Sequence, residues 1–296
     1  MKIFLTGATG YIGSAVAEAL QAAGHTVAGV ARSVEAEQTL KDRGITPVRA
    51  DLKEPKSLVI GLEGCDAVIH AGSTNDGRAD ADAITAMLGA LKGSGKLLIY
   101  TSGIWVLGNT GDSSGEQPAD EDARLKPLPL VAWRPAVEKE VLASGVVIRP
   151  GVVYGRGAGL PAMFVQSANE TGAARYIGDG QNRWPLVEVE DLADLYLKAL
   201  ELAKPGDLFH ATDGTAFRTR EIAEAASFGA DAGGRTESWP VKEANEKLGA
   251  YLVEALLLDQ VISSEKAKRV LGWSPKAISL LEDLRYGSYA MTRINP

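Results

Sequence analysis

Short apolar runs alternate with longer amphipathic runs over the first half of the chain. The apolar runs predict β-strands at Lys2–Thr6, Thr26–Ala31, Thr46–Ala50, Ala67–Ala71, Lys96–Thr101 and Val146–Arg149. Apolar residues at helical spacing between them predict helices, which include Glu35–Arg43, Ala79–Lys92 and Pro135–Ser144. Strands that are apolar on both faces are typical of parallel sheets covered by helices on both sides. The pattern therefore predicts an α/β fold with a doubly wound parallel sheet.

The pattern becomes irregular after Pro150. The helices predicted beyond this point lie near Pro161–Thr171, Asp191–Leu202, Thr219–Ser227 and Lys242–Leu258. We therefore expect two parts in the chain. Residues 1–150 form the sheet domain. Residues 151–296 mainly form a small C-terminal α/β lobe for a substrate, with a segment at about 185–212 that returns to the sheet domain.

The first strand runs directly into a turn that contains Gly7, Gly10 and Gly13, and an amphipathic helix follows. In such a turn the first glycine permits a tight bend, the second lets a pyrophosphate approach the backbone, and the third lets the helix pack closely on the strand. The phosphates then lie at the positive end of the helix, where backbone N–H groups lack acceptors. The unit predicts a Rossmann-type dinucleotide site. The intervening residues that we expect at the cofactor are Thr9, Tyr11 and Ile12.

The end of the second strand favours NADP(H) over NAD(H). A site for NAD usually has a carboxylate there, which binds the ribose 2′-hydroxyl. This chain has Arg32 instead, with the hydroxyl of Ser33 beside it. A guanidinium forms a bidentate pair with a phosphate, so these two residues predict binding of the 2′-phosphate of NADP(H). In the alternative interpretation, Arg32 stacks on adenine or faces water.

Two further strand ends are candidates for cofactor contact. Asp51 and Leu52 end the third strand, where an adenine amino group would lie. Asp51 is equally suited to cap the helix that follows. Ala71, Gly72 and Ser73 end the fourth strand, and residues this small let a ribose or a pyrophosphate pass close to the backbone.

Composition argues against several kinds of partner and site. The net charge is −7 without a basic cluster, so neither nucleic acid nor an anionic membrane surface is an expected partner. No apolar run is long enough to cross a bilayer, and a strand that begins at residue 2 leaves no room for a signal peptide. The single cysteine, Cys65, fits a reducing, cytoplasmic location. The three scattered histidines predict no metal site, and His70 is interpreted as a core residue.

Five segments in the right order resemble the motifs of one family. They are the glycine turn at 6–13, the fourth strand at 67–71, the strand and loop at 148–155, the segment 187–193 and the C-terminal segment 264–275. Over almost its whole length the chain resembles the extended short-chain dehydrogenase/reductase family, also called the NAD(P)-dependent epimerase/dehydratase family. The resemblance implies nicotinamide contacts at Pro150, Gly151 and Val153, and a cofactor contact at Thr101.

The residues that perform proton transfer in that family are missing. The family uses a Ser/Thr and a Tyr-x-x-x-Lys pair to move a proton while hydride moves to or from nicotinamide C4. None of the eight tyrosines has a lysine four residues later, and none lies between Tyr100 and Tyr154. Aligned on the family pattern, Leu130 stands at the tyrosine position, Arg134 at the lysine position and Gly103 at the serine position. The chain resembles the atypical subgroup that lacks this pair.

Three residues are candidate catalytic substitutes. Arg134 can bond ribose hydroxyls and adds positive charge near the nicotinamide, but a guanidinium does not act as a general acid or base in proteins. Ser102 offers a hydroxyl, and Tyr154 offers a phenol beside the nicotinamide strand. In the structural alternatives, Tyr154 packs in a loop and Ser102 bonds backbone or cofactor. His210 and Glu188 are more remote candidates.

Three functions remain open at this point. The first is an NADPH-dependent oxidoreductase that reduces a small carbonyl or related group. The second is an NADP(H)-responsive binding or regulatory protein without turnover. The third is a sugar-nucleotide-type epimerase or dehydratase, against which the missing pair argues. Trp105 and Trp133 are expected at the pocket mouth and suit an apolar or aromatic substrate, or else pack in the core. Family members often dimerise, so the resemblance leaves a homodimer open.

Overall fold

The structure is a computed structural model that describes residues 1–74, 76–111 and 117–291 of the chain. The strands in these ranges are β1 Lys2–Thr6, β2 Thr26–Ala31, β3 Thr46–Arg49, β4 Ala67–His70, β5 Leu98–Thr101, β6 Val146–Pro150, β7 Val152–Tyr154, β8 Ala174–Ile177, β9 Arg183–Glu188, β10 Leu208–Ala211, β11 Ala216–Arg218 and β12 Thr236–Trp239. The α-helices are α1 Tyr11–Ala22, α2 Val34–Asp42, α3 Pro55–Gly61, α4 Gly77–Leu91, α5 Arg134–Leu142, α6 Ala162–Thr171, α7 Val189–Leu202, α8 Thr219–Gly229, α9 Val241–Leu248, α10 Ala250–Leu256, α11 Glu265–Leu271, α12 Leu280–Tyr286 and α13 Ser288–Met291. Two short 3-10 helices span Ile104–Leu107 and Pro129–Val131. None of the helices in the described ranges has the length and apolar character needed to cross a bilayer.

In the described part of the chain, the central sheet has seven strands in the order β10-β6-β5-β4-β1-β2-β3. All neighbouring strands are parallel. The strand order reverses between β1 and β4, and a doubly wound sheet binds its ligands at the carboxyl ends of the strands near such a reversal. The predicted fold class is confirmed. The six predicted strands differ from the observed ones by at most two residues at an end.

Successive residues of each central strand point to opposite faces of the sheet. Ile3 and Leu5 of β1 pack under α1, α7 and α11 on one face, whereas Phe4 packs under α3, α4 and α5 on the other. All three side chains are fully buried. Because both faces are covered, these strands are apolar along their whole length, as the sequence pattern indicated.

The C-terminal lobe has a core of its own. A three-stranded sheet, β11-β9-β7, and the pair β12-β8 pack with α6, α8, α10 and α12. The lobe is not one continuous segment of chain. Helix α7 packs with α1 in the main core, and β10 pairs with β6 at the edge of the central sheet. The stretch from α7 to β10 therefore belongs to the sheet domain.

One predicted helix of the lobe is wrong in its extent. The pattern at Lys242–Leu258 predicted a single helix, but the structure has α9 and α10 there. Gly249 separates the two helices with a φ of 87°. This is a backbone conformation that glycine adopts at little cost and other residues avoid, so the chain bends between the two apolar stripes.

The glycine turn brings three backbone segments into direct contact. Gly7 has a φ of 72°, and a Cβ atom there would lie 2.6 Å from the carbonyl oxygen of Ala71 at the end of β4. A Cβ atom on Gly13 would overlap the carbonyl oxygen of Gly7. Helix α1, strand β1 and the end of β4 therefore meet at a distance that excludes any side chain.

His70 lies in the core of the sheet domain, where it ties β1 to the end of β4. Its side chain is buried, and its Nδ1 atom lies 2.8 Å from the hydroxyl of Thr6, which also accepts the N–H of Gly72. The imidazole ring stacks on Tyr100 with ring centroids 5.9 Å apart. Burial lowers the pKa of His70 to about 4, so the ring is neutral at physiological pH. These contacts make His70 a structural residue.

We expect Gly13→Ala to lower the free energy of unfolding by more than about 2 kcal/mol, because the added methyl group overlaps the Gly7 carbonyl. Gly89→Ala is the matched control. Gly89 lies within α4, and no neighbouring atom lies within 4 Å of its Cβ position. Alanine there should therefore raise the free energy of unfolding by about 0.5–1 kcal/mol. Urea unfolding at neutral pH measures both changes. Equal stabilities would contradict the packing role of Gly13.

The buried neutral His70 should also make stability depend on pH. Its pKa is about 6.5 in an unfolded chain and about 4 in the fold, so between these values only the unfolded chain takes up the proton. Stability should therefore fall as the pH falls through this window, by up to about 1.4 kcal/mol per pH unit from this group. His70→Asn, which keeps an acceptor near the Nδ1 position, should remove that part of the slope in unfolding titrations from pH 7 to pH 4. An unchanged slope in the variant would show that His70 is not buried as a neutral group.

Candidate functional site

A cleft of about 460 Å³ opens at the carboxyl ends of the central strands, beside the loop that leads into α6. The residues that line it are Tyr11, Ile12, Ser73, Ser102, Gly103, Ile104, Trp105, Leu130, Val131, Trp133, Arg134, Pro150, Gly151, Val152, Val153, Gly159 and Leu160. The predicted site residues brought together there are Tyr11, Ile12, Ser73, Ser102, Arg134, Pro150, Gly151 and Val153. Leu130 and Arg134, which align with the tyrosine and the lysine of the missing Tyr-x-x-x-Lys pair, thus line the same cleft.

The glycine turn ends at the inner edge of this cleft. Gly10 is the N-cap of α1, and no side chain caps the helix. Thr9 and Gly10 are exposed, so the N–H groups of the first turn are open to a ligand. The hydroxyl of Tyr11 donates a hydrogen bond of 2.8 Å to the carbonyl of Gly155 and so joins the turn to the opposite wall. An anionic pyrophosphate fits a helix terminus of this kind.

Arg32 and Ser33 lie where β2 passes into α2. The Ser33 hydroxyl caps α2 by accepting the N–H of Ala36 at 3.2 Å, so this side chain has a structural role as well. The Arg32 side chain is exposed, and within the described residues it forms neither a hydrogen bond nor an ion pair. The neighbouring strand carries another guanidinium, but Arg49 is already paired with Glu37 at 2.9 Å. Arg32 is thus the cation left for a phosphate at this corner.

At the end of β3 the structure excludes one of the two roles considered for Asp51, that of a helix cap. Helix α3 begins at Pro55 with Glu54 as its N-cap, so the interpretation of Asp51 as a helix cap is wrong. Its Oδ1 instead accepts the N–H of Lys53 at 2.9 Å. Leu52 is buried against the end of β4, where a Cβ on Gly72 would lie 3.2 Å from its Cδ1 atom.

Ser73 follows β4 and lines the cleft. Its hydroxyl donates a 2.6 Å hydrogen bond to the buried carboxylate of Asp80. The same carboxylate accepts the N–H and the hydroxyl of Thr74. Asp80 therefore orders the segment after Ala71 and Gly72, against which a ribose or pyrophosphate is expected to lie.

Two predicted side chains point away from the cleft. The Tyr154 hydroxyl donates to the carbonyl of Ile278 at 2.8 Å inside the core of the lobe, so the prediction that it serves as a proton donor is wrong. The Thr101 hydroxyl lies 2.5 Å from the hydroxyl of Tyr196 on α7. This bond occupies the Thr101 side chain on the side of the sheet covered by α7.

The two remote candidates lie elsewhere and have other partners. His210 is buried on the edge strand β10, where its Nε2 atom lies 3.4 Å from Arg149 Nη1, and burial lowers its pKa to about 3. Glu188 caps α7 by accepting the N–H groups of Glu190 and Asp191. Neither His210 nor Glu188 lines the cleft. Their structural roles correct the expectation that they supply a proton there.

Arg134 lies close to Gly103 in the cleft. A Cβ atom on Gly103 would lie 3.3 Å from Nη1 of Arg134, a close contact. The φ of Gly103 is 174°, which any residue adopts, so the backbone does not require glycine. The guanidinium lies 5.4 Å from the ring centre of Trp133, and its Nε atom is buried without a hydrogen-bond partner among the described residues. A side chain at position 103 would therefore require the guanidinium to shift.

Ser102 is the second donor in the cleft wall. Its N–H is bonded to the carbonyl of Ile148, which fixes it at the end of β5, and its hydroxyl is buried. The buried hydroxyl of Tyr100, two residues earlier, interacts with the Ser102 hydroxyl. Burial raises the Tyr100 pKa well above its usual range, so this phenol stays protonated. Sequence reasoning missed Tyr100, because its place within an apolar strand carries no signal of a polar role.

Apolar side chains form the other walls, and Trp105 and Trp133 are among them. Trp105 belongs to the 3-10 helix Ile104–Leu107, which a buried amide holds in place. Nε2 of Gln260 donates to the carbonyls of Ile104 at 3.0 Å and Gly108 at 2.7 Å. No local motif marks Gln260, because its partners lie more than 150 residues earlier in the chain.

The arrangement fits a dinucleotide. A Cβ atom on Gly7, Gly10 or Gly13 would meet neighbouring backbone atoms, so the turn keeps its backbone free of side chains at the start of α1. Arg134 Nε is a buried donor that lacks a hydrogen-bond partner among the described residues, which costs free energy unless a ligand pairs with it. Three His, Cys, Asp or Glu side chains do not come together as metal ligands anywhere in the described ranges.

Comparison with known proteins agrees with this geometry. A family model described as NAD(P)H-binding matches residues 7–201. A Saccharomyces cerevisiae protein of uncharacterised function is 35% identical, over 96% of this chain and 98% of its own length. A Stenotrophomonas maltophilia protein named 2-alkyl-3-oxoalkanoate reductase is 26% identical, over 96% of this chain and 98% of its own.

Solved structures share the fold at low sequence identity. A dTDP-glucose 4,6-dehydratase from Bacillus anthracis in complex with NAD aligns with a TM-score of 0.81 and 17% identity, over 99% of this chain and 97% of its own. A human epimerase family protein with NADPH aligns with a TM-score of 0.76 and 19% identity, over 97% of this chain and 99% of its own. Since the family match over residues 7–201 covers more than half of the chain, the chain belongs to the NAD(P)H-binding, extended short-chain dehydrogenase/reductase family, and its sequence lacks Tyr-x-x-x-Lys.

Proposed function

We propose that the protein is an NADPH-dependent oxidoreductase that reduces the carbonyl group of a small, largely apolar substrate by hydride transfer. The observation that carries the proposal is the pair of donors Arg134 and Ser102 in an otherwise apolar cleft next to the glycine turn, where Nε of Arg134 is buried without a hydrogen-bond partner among the described residues. The reductase name of the Stenotrophomonas maltophilia relative supports the reduction of a ketone.

The cofactor preference rests on the corner between β2 and α2. Arg32 is exposed and unpaired within the described chain, whereas the carboxylate expected of an NAD site is missing from the end of β2. The 2′-phosphate of NADPH would be held by Arg32, the pyrophosphate by the N-terminus of α1, and the nicotinamide by Pro150, Gly151 and Val153. The bound cofactor would supply the hydride.

The protein's own contribution is to hold and polarise the substrate oxygen. Arg134 and Ser102 would donate hydrogen bonds to the carbonyl oxygen, on which negative charge builds during reduction. Fixed donors in a cleft with apolar walls stabilise such charge more strongly than water does. A guanidinium does not act as a general acid in proteins, so water would supply the proton that finally reaches the oxygen.

A protein that binds NADP(H) without turnover is the second candidate. Tyr11 is the one phenol, imidazole, thiol or carboxyl group among the lining side chains, and burial raises its pKa above the usual range of a phenol. The cleft therefore lacks an acid or base that works near neutral pH. Epimerisation or dehydration would need such a base. A panel of ketones with NADPH separates the candidates, because turnover supports the reductase and tight binding without turnover supports the binding protein.

The cofactor proposal predicts that the protein binds NADPH more tightly than NADH in calorimetric titrations. Arg32→Ala should weaken NADPH binding about 10- to 100-fold, through loss of charge-assisted hydrogen bonds to phosphate, and should leave NADH binding nearly unchanged. Arg43→Ala is the matched control, because Arg43 is also exposed and lies at the opposite end of α2. Equal binding of both cofactors by the unmodified protein would contradict the proposal.

The donor proposal predicts that Arg134→Met lowers kcat/KM for the best ketone of the panel about 100- to 1000-fold, which is typical when a donor to a developing oxyanion is removed. Ser102→Ala should lower it as well, through the loss of the second donor. Tyr154→Phe is the control, since its hydroxyl is bonded to Ile278 away from the cleft and its removal should affect stability alone. Unchanged kcat/KM in both cleft variants would show that the oxygen is held elsewhere.

A further inference from the structure

A buried ion pair joins helix α5 to strand β6 behind the cleft. Arg134 and Glu138 are four residues apart on this helix, so their side chains share a face and are placed to form an ion pair. Glu138 has another partner instead. Its two oxygens accept hydrogen bonds from Nε and Nη2 of Arg149, at 3.0 and 2.6 Å. The side chains of Arg149 and Glu138 are 4% and 3% exposed.

The second carboxylate near Arg134 is also occupied. Arg134, Glu138 and Asp80 all act electrostatically on the buried hydroxyl of Tyr100, so all three charges lie in its surroundings. Asp80 accepts hydrogen bonds from the hydroxyl of Ser73 and from the N–H and hydroxyl of Thr74. It lies behind Ser73 and does not line the cleft. Neither carboxylate therefore forms an ion pair with Arg134.

Arg134 is left as the one charged side chain among the residues that line the cleft. A cation among apolar and aromatic side chains is costly unless an anion pairs with it. The guanidinium has five N–H donors, more than one carbonyl oxygen can use, and its planar fork matches a carboxylate. The walls beside it are large and apolar, with Trp105 and Trp133 among them.

We propose that the ligand of this cleft is an organic anion, an apolar or aromatic molecule whose carboxylate pairs with Arg134, and that the Glu138–Arg149 ion pair keeps Arg134 free to bind it. The proposal rests on the proposed reductase, whose substrate class it names. Arg149 is a positioning residue in this arrangement. It does not line the cleft, and it acts by holding Glu138 away from Arg134.

The first test compares 2-naphthoate with 2-naphthamide, two probes of nearly equal size of which only one is charged. Calorimetric titrations of the full-length protein, alone and saturated with NADPH, should show binding of the carboxylate about tenfold tighter or more. Arg134→Met should bind both probes with similar affinity. Equal affinities in the unmodified protein would overturn the proposal, and so would a lack of binding of either probe at millimolar concentration.

The second test separates a positioning role of Arg149 from a merely structural one. Arg149→Met should leave Glu138 free to pair with Arg134, so the preference for the carboxylate should disappear. The double variant Glu138→Leu/Arg149→Met should restore the preference, because Arg134 then has no neighbour to pair with on α5. Arg149→Gln is the matched control, since glutamine still donates a hydrogen bond to Glu138 and should therefore keep the preference for the carboxylate.

A structural role alone would lower the stability of the single variant and leave the carboxylate preference intact, and that result would overturn the role given to Arg149. The preference for the carboxylate is measured as binding, so it can be determined whether or not the protein turns over a substrate. Preference for the carboxylate without reduction of any ketone would support the anion site and contradict the proposed reductase. Reduction of neutral ketones without preference for the carboxylate would support the reductase and contradict the anion site.

Discussion

The site depends on the direct backbone contact among Gly7, Gly13 and the end of β4. Because no side chain separates these segments, the N-terminus of α1 lies against the point where the strand order reverses. The hydrogen bonds of Thr6 to His70 and Gly72 hold the same junction from the core side. The contact thus places free N–H groups and small residues together at one edge of the sheet. The cleft extends from that edge.

Within the cleft, the guanidinium of Arg134 beside Gly103 sets the available chemistry. It brings positive charge to the site but cannot transfer a proton. Ser102 retains one hydroxyl beside it. A reaction that develops negative charge on an oxygen is suited to this arrangement, whereas one that begins by removing a proton from a hydroxyl is not.

The sequence predicted those features that depend on local pattern. The strands were recognisable because burial on both faces makes them continuously apolar, and the glycine turn was recognisable because its spacing follows from close packing. The positions of Leu130 and Arg134 in the cleft also followed from alignment with the family.

Features that depend on distant partners were not predictable. Tyr154 is a candidate proton donor by sequence because nothing in its neighbourhood reveals the Ile278 carbonyl to which it is bonded, more than 120 residues later. The amide of Gln260 and the phenol of Tyr100 carry no local signal for the same reason. The interruption at Gly249 was missed because apolar spacing continues on both sides of the bend.

The return of α7 and β10 to the sheet domain has a consequence for how such a protein can evolve. A cut after residue 150 would not release a complete cofactor-binding unit, since β6 would lose its neighbour β10 and α1 would lose the apolar cover of α7. A recombination event that exchanged everything beyond this point would therefore transfer part of the sheet domain together with the lobe. New specificity in this architecture is more readily acquired by substitutions within the cleft walls than by exchange of a whole lobe.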